Sequence, residues 1–330
     1  MTVPSIICFG GLRIDYLISA QGDVTLRQCG GNAMYSAVGA RVWGAAVGLV
    51  GRVGQNYPRG WLDQAQAGGI DTAGVHWFDT DAEMRTFFAH HPTGGRVEGD
   101  PSFHFGRLGL PVPPDLLTYH QADADQEDEV YRPLWLTPAD LPPAYLSAQA
   151  FHLAPMNWDG HASLVHALRQ RGAGVISLDP GERYMTAGRR SEVADLLGQV
   201  DIFLPSELET TPLLGDLSPQ AAGGWFAAHG PRVVVLKQGG RGVLVYDRQA
   251  DRFYHAPPVP TTIRDVTGAG DAFCGGFLVG WQETGDPVQA ARYGAVSASF
   301  VLEDFGALYA LRYGRTDAEA RLTQSVVHQV

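Results

Sequence analysis

Apolar residues in this chain fall into short runs closed by glycine, separated by longer stretches in which small and apolar residues recur at helical spacing. SIICFGG (5–11) is a four-residue apolar run stopped by two glycines and predicts a strand. RIDYLISA (13–20) alternates and predicts a second strand. AMYSAVGARVWG (33–44) predicts a helix whose small residues suit close packing on a sheet, with Gly44 at its end. AAVGLVGRVG (45–54) predicts a buried strand and its turn, and YPRGWLDQAQAGG (57–69) a helix that starts near Pro58 and stops at glycine. The rhythm returns later. Strands are expected in 149–156, 173–180, 200–207 and 232–240, with helices over 159–171, 190–198 and 218–229. Strands that alternate with helices predict an α/β protein with a mainly parallel sheet covered on both faces.

Two segments break that rhythm. Residues 74–110, with GVHWFDT and EMRTFF, look like a hairpin or meander; with 13–20 they are expected to form a small separate sheet over one end of the main one. Residues 111–145 are proline-rich and carry the acidic run QADADQEDEV (121–130), which reads as a solvated insertion. No internal repeat is apparent.

Composition narrows the function. Hydrophobic residues make up 45% of the 330, enough for a large core. The net charge of −11 argues against nucleic-acid and anionic-membrane partners, which need a basic footprint. It leaves a nucleotide open, because backbone N–H groups, a helix N-terminus and a metal ion can hold phosphates. Cys8, Cys29 and Cys274 have neither metal-like nor redox-like spacing, which suggests reduced, packed thiols and a cytoplasmic location. No signal-peptide pattern and no run of ~18 apolar residues is present.

The chemistry concentrates in RDVTGAGDAFCGGFLVGW (264–281). A Gly-Ala-Gly turn at 268–270 lets N–H groups converge, and the helix start behind it adds a positive dipole end. An anion is stabilised there, including charge that builds up during phosphoryl transfer. Asp271, at the same turn, can take a proton from an attacking hydroxyl, although an Asp N-cap after a glycine turn is also a common structural feature.

DVTGAGDAFCGGF resembles the C-terminal signature of the ribokinase-like (PfkB) carbohydrate kinases, with Val266 where that family usually has Thr. CGGNAMYSAVG (29–39) resembles the family's Gly-Gly signature, with Tyr35 where Asn is frequent; VDIFLPSELET (200–210) resembles its strand ending in P-N-x-x-E, with Ser206 in place of Asn. VVVLKQGGRGVLVYD (233–247) resembles its glycine turn and hairpin beside the nucleotide.

The resemblance covers nearly the whole chain and implies a three-layer α/β/α ribokinase-like fold. It implies a single kinase domain over 1–330 with a β-lid from about 12–28 and 74–110. It also implies transfer of the ATP γ-phosphoryl group to a hydroxyl of a sugar-like molecule, with Mg²⁺. Asp271 would be the base and Gly268, Ala269 and Gly270 the anion hole. Asp15, Gly30, Gly31, Asn32 and Arg85 would face substrate. Lys237, Gly239, Gly242, Thr267, Ser206 and Gly306 would face the nucleotide, with Asp179 near the phosphates. Glu209 would serve the metal through water. Asp265 and Thr267 allow a K⁺ site, and the lids allow a homodimer. A nucleoside kinase, and a non-catalytic sensor that kept the fold, are the alternative readings.

Overall fold

Every apolar run named above pairs edge to edge with a neighbour in the computed structural model, which describes residues 3–91, 95–119, 121 and 127–330. In chain order the strands are β1 (Ile6–Phe9), β2 (Arg13–Ile18), β3 (Val24–Gly30), β4 (Val47–Val53), β5 (Ile70–Trp77), β6 (Arg85–His90) and β7 (Arg96–Glu98). Then follow β8 (Ala150–Leu153), β9 (Val175–Leu178), β10 (Ile202–Phe203), β11 (Val233–Lys237), β12 (Val243–Asp247), β13 (Arg252–Ala256) and β14 (His328–Gln329). The main sheet runs β14-β13-β12-β11-β10-β9-β8-β1-β4-β5, parallel from β11 to β5 and antiparallel from β11 to β14.

Alternation inside β1 shows how the layers form. Ile6 and Cys8 join a core with the helices Asn32–Arg41, Ala269–Thr284 and Pro287–Val301. Ile7 and Phe9 join the core on the other face, beneath Trp158–Gln170, Arg190–Leu197 and Pro219–Ala228. The expected three-layer α/β/α architecture follows. The three cysteines are buried and unpaired. Among the described residues no helix is long and apolar enough to cross a membrane.

β1 pairs with β4 on one side and β8 on the other, so the strand order reverses at its C-terminal end. Crevices at such switch points are where open α/β sheets bind ligands. Two helices pack backbone to backbone there. A Cβ on Gly275 would lie 1.9 Å from the Ser36 carbonyl oxygen, and one on Gly39 would lie 2.2 Å from that of Ala272. Only glycine permits this approach. It draws the Gly30–Gly31 turn and the Gly268–Gly270 turn, each at the start of one of these helices, to the same end of the sheet.

The small sheet has the order β3-β2-β6-β7. β2 pairs antiparallel with β3 and parallel with β6. Its composition corrects the expected boundaries. Residues 74–77 belong to β5, an edge strand of the main sheet, because Val50↔Gly74 to Val53↔Trp77 pair in parallel. Residues Pro101–Arg107 are helical, with Asp100 accepting from the Phe103 N–H at 3.1 Å as an N-cap.

The 111–145 segment also departs from expectation. Its described residues form a cover and not a solvated loop: Leu116, Tyr119, Leu136, Leu141 and Tyr145 are buried, and short helical turns stand at Pro114–Leu116, Arg132–Leu134, Pro138–Asp140 and Pro143–Ser147. Half of the acidic run, 122–126, lies outside the described residues. Phe105, Leu116 and Tyr119 join Tyr16 and Phe87 in the core, on the lid face turned away from the crevice. The homodimer through the lids that the resemblance allowed therefore finds that face already occupied by the chain itself.

Candidate active site

The crevice is built from helix starts and strand ends. The helix Ala269–Thr284 begins after Gly268, which sits at φ 74 with the Tyr35 ring against it; a Cβ there would meet that ring at 2.2 Å. Gly268 is therefore required twice, by conformation and by contact. The Ala269 N–H bonds back to the Val266 carbonyl at 3.4 Å, while the Gly270 and Asp271 N–H groups stand in the first turn, where a helix offers no carbonyl of its own to receive them.

Asp271 stands in this first turn, partly exposed. Burial pushes its carboxyl up to about 6, against the pull of Lys237 and Arg96 and with help from Glu209. Lys237, at the end of β11, reaches the same turn, with its Nζ 3.8 Å from where a Gly270 Cβ would be. Its ammonium is ion-paired with Asp179. Burial alone would pull that ammonium down. Asp179, Cys274, Glu209 and Asp271 together hold it well above the ordinary lysine value, so it stays charged. Asp179 Oδ1 is buried without a partner among the described residues.

Ser206 caps the helix Glu207–Leu214, and the Glu209 carboxylate accepts the Ser206 backbone N–H in return. One Glu209 oxygen is thus committed to the cap, while its charge is felt at Asp179, Lys237 and Asp271. Gly239 (φ 56) has open space where a side chain would be, and Gly242 (φ 89) lies against the Ala256 carbonyl.

On the lid side, Asp15 lies flat on Gly30, where any Cβ would strike its carboxylate. Thr86 Oγ1 donates to Asp15 Oδ1 at 2.5 Å, and burial pushes Asp15 up to about 7. The Tyr35 hydroxyl, near Asp15, Asp265 and Asp271, is buried with no partner among the described residues. Asp265 Oδ1 accepts from the Thr267 N–H at 3.3 Å and from Thr267 Oγ1 at 3.0 Å. His90 Nε2 lies 2.9 Å from Thr267 Oγ1 and 3.5 Å from Asp265 Oδ1.

The structure thus brings together Asp271, Gly268, Ala269, Gly270, Thr267, Asp265, Asp15, Gly30, Lys237, Asp179, Glu209 and Ser206. Arg85 is a correction. It points to the covered face of the lid, where its guanidinium bonds Glu83 (Nε–Oε1 2.8 Å), the Asp115 carbonyl and Thr118. Parity explains this, because Thr86 and His90 reach the site and Arg85 and Phe87 alternate away. Asn32 is largely committed to the backbone. Its Oδ1 accepts from Gly11 and Ala33 at 2.7 and 2.8 Å, and its Nδ2 donates to the Pro155 carbonyl at 2.5 Å. It holds the Gly30–Gly31 turn, and one N–H remains for a ligand. Gly31 (φ 95) packs on the Gly11 carbonyl within that turn. Gly306 sits against Gln28 and Cys29 of β3, on the lid side of the crevice. Sequence reasoning missed Thr86, His90 and Arg96. The alternation of RTFFAH was the available signal for the first two.

A model of the pfkB family of carbohydrate kinases matches residues 115–312. A cytidine kinase of Thermococcus kodakarensis is 28% identical over 305 residues, which cover 91% of this chain and 97% of that protein. Among solved structures, the nucleoside kinase of Burkholderia thailandensis in complex with inosine superposes with a TM-score of 0.71 at 16% identity, covering 97% of this chain and 98% of that one. An E. coli chain assigned as a ribokinase II, in complex with ATP and Mg²⁺, gives 0.69 at 17% identity, covering 97% and 99%.

Proposed function

Since the chain belongs to the pfkB family of carbohydrate kinases and is an ATP-dependent kinase of a sugar-like small molecule, we propose that Asp271 is the base that activates the acceptor hydroxyl. One observation carries this reading. Asp271 stands in the first turn of a glycine-capped helix, beside the Lys237 ammonium and across the crevice from Asp15. The acceptor is held at its far hydroxyls by Asp15 and the Gly30–Gly31 turn, which leaves a hydroxyl directed at Asp271. Asp271 accepts its proton as the oxygen attacks the γ-phosphorus. The N–H groups of the 268–271 turn and Lys237 receive the charge on the phosphoryl oxygens. The whole chain is taken as one kinase domain, with β2, β3, β6 and β7 as its lid.

Among the described residues no group of three or more His, Cys, Asp or Glu side chains gathers as a metal cage. The free oxygens of Asp179 and Glu209 instead suit a hard ion carried in on phosphates and hydrated, as Mg²⁺ prefers. Bound there, Mg²⁺ would supply charge to the nucleotide phosphates. The K⁺ reading rests on Asp265, whose Oδ2 is buried without a partner among the described residues. Reduced, buried thiols support a reducing compartment.

A nucleoside acceptor is the second reading. Phe88 follows Thr86 by two residues on β6 and carries the Arg96 guanidinium 4.8 Å from its ring centroid, so an aromatic surface lies beside Asp15 on which a base can stack. The cytidine kinase similarity points the same way. The test is an ATP-consumption screen over pentoses, hexoses, sugar acids, sugar phosphates and nucleosides, with product mass measured. Turnover of a hydroxyl-bearing acceptor that Asp271→Asn abolishes is the expected result. An Asn variant within a few-fold of wild type rules out Asp271 as the base.

A further inference from the structure

We propose that His90 is a positioning residue through which closure of the lid completes the phosphate-binding turn. Its imidazole stands at the end of β6 with a side chain only 9% exposed, and it touches the segment that leads into Gly268. The hydrogen bonds run in one direction. Thr267 Oγ1 gives its proton to Asp265 Oδ1, so its oxygen is left to accept, and His90 Nε2–H is the donor 2.9 Å away. An imidazole Nε2–H donates in the same way whether the ring is neutral or charged, so the contact rests on its geometry. Asp265 Oδ1, Arg96 and the Thr267 hydroxyl are the polar groups around it from β7 and the 265–267 segment.

β6 therefore grips the site at two points on one face. Thr86 holds Asp15, and four residues later His90 holds Thr267. The two contacts lie about 13 Å apart along a strand that rises ~3.3 Å per residue. One rigid strand thus links the acceptor end of the crevice to the phosphate end. When the lid lifts, Thr267 keeps only its bonds to Asp265, and the residue before the left-handed cap at Gly268 loses its outer support. Phosphoryl transfer is then tied to a closed lid, and water meets an incomplete turn when the lid is open.

This inference rests on the reading of 268–271 as the phosphate turn, and its test separates the two. His90→Ala and His90→Gln are compared with wild type; the Gln amide places an N–H close to where Nε2 stands. Loss of one such hydrogen bond should lower kcat about tenfold, with a smaller change in acceptor KM. The fraction of ATP lost to water should rise in the Ala variant, and Gln should restore most of both. Hydrogen exchange of the 267–271 amides needs no acceptor. It should be faster in the Ala variant than in wild type or Gln, at equal melting temperature. If no acceptor is ever turned over, the functional reading fails, and the exchange comparison still decides the role of His90. Ala and Gln variants impaired alike, or an Ala variant with wild-type coupling and exchange, overturn the proposal.

Discussion

A carboxylate that takes a proton from an alcohol must be ionised when the acceptor binds, yet more basic than a solvated aspartate. Asp271 meets both conditions through its surroundings, because burial raises it to about 6 while Lys237 and Arg96 keep it from rising further. Below that value it is protonated and cannot act as base. The kcat/KM of the wild type should therefore fall as pH drops through about 6. Asp15, raised to about 7, should make the acid limb steeper than a single proton would. Asp271→Asn should lose about 10²–10⁴ in turnover while ATP still binds, as calorimetry can show. Lys237 carries a second expectation. Its ammonium answers the buried Asp179 charge, so Lys237→Met leaves that carboxylate without its counter-ion and should cost about 3–5 kcal/mol. Pairing the change with Asp179→Asn should return much of that stability in a denaturant titration, though not the activity. Both residues stood in readable motifs. Tyr35 and His90 did not show their roles, because Tyr35 lies on Gly268 and His90 on Thr267 only after the chain has folded across most of its length.

β6 shows what alternation does and does not reveal. The pattern RTFFAH assigned a strand correctly, but it could not say which parity faces the crevice until Asp15 was seen opposite Thr86. A choice of the charged residue, Arg85, selects the wrong face. Arg85→Ala should therefore leave both KM values within a few-fold, whereas Thr86→Val should raise acceptor KM about tenfold by removing the bond to Asp15. Steady-state kinetics with ATP and acceptor varied in turn decides between them; the reverse order would place Arg85 at the substrate. Other elements failed for equally specific reasons. Residues 74–77 of β5 fall in the expected lid because GVHWFDT breaks the strand–helix rhythm, and only their pairing with β4 places them in the main sheet. The helix Pro287–Val301 has no counterpart in the sequence reading, although Asp286 before Pro287 is a capping signal; Glu207 and Glu209 do mark a helix start, and Ser206 caps it.

At the scale of the molecule, the segment after the lid strands packs on the outer face of β2 and β6. A dimer through the outer face of the lid needs that face apolar and uncovered. Here Tyr16 and Phe87 point outward and are buried by Phe105, Leu116 and Tyr119, with Phe87 and Phe105 ring centroids 6.1 Å apart. Polar contacts fasten the cover: the Tyr16 hydroxyl donates to Asp115 Oδ2 at 2.7 Å, and Arg27 meets the same oxygen at 2.6 Å. The Arg27 pair is exposed and weak alone, so the apolar contacts carry the attachment. Phe103 and Leu117 of the cover remain exposed, but the face of β2 and β6 beneath it is no longer open to a second chain, and a stable interface needs about 800 Å² per partner. Light scattering at micromolar concentration should therefore return the mass of one chain, 35.5 kDa. Leu116→Asp should loosen the cover, speed hydrogen exchange in β2 and β6, and promote association through the uncovered face. A wild-type dimer whose protected amides map to Tyr16 and Phe87 would show that the cover lifts, and that the lid pairs between molecules after all.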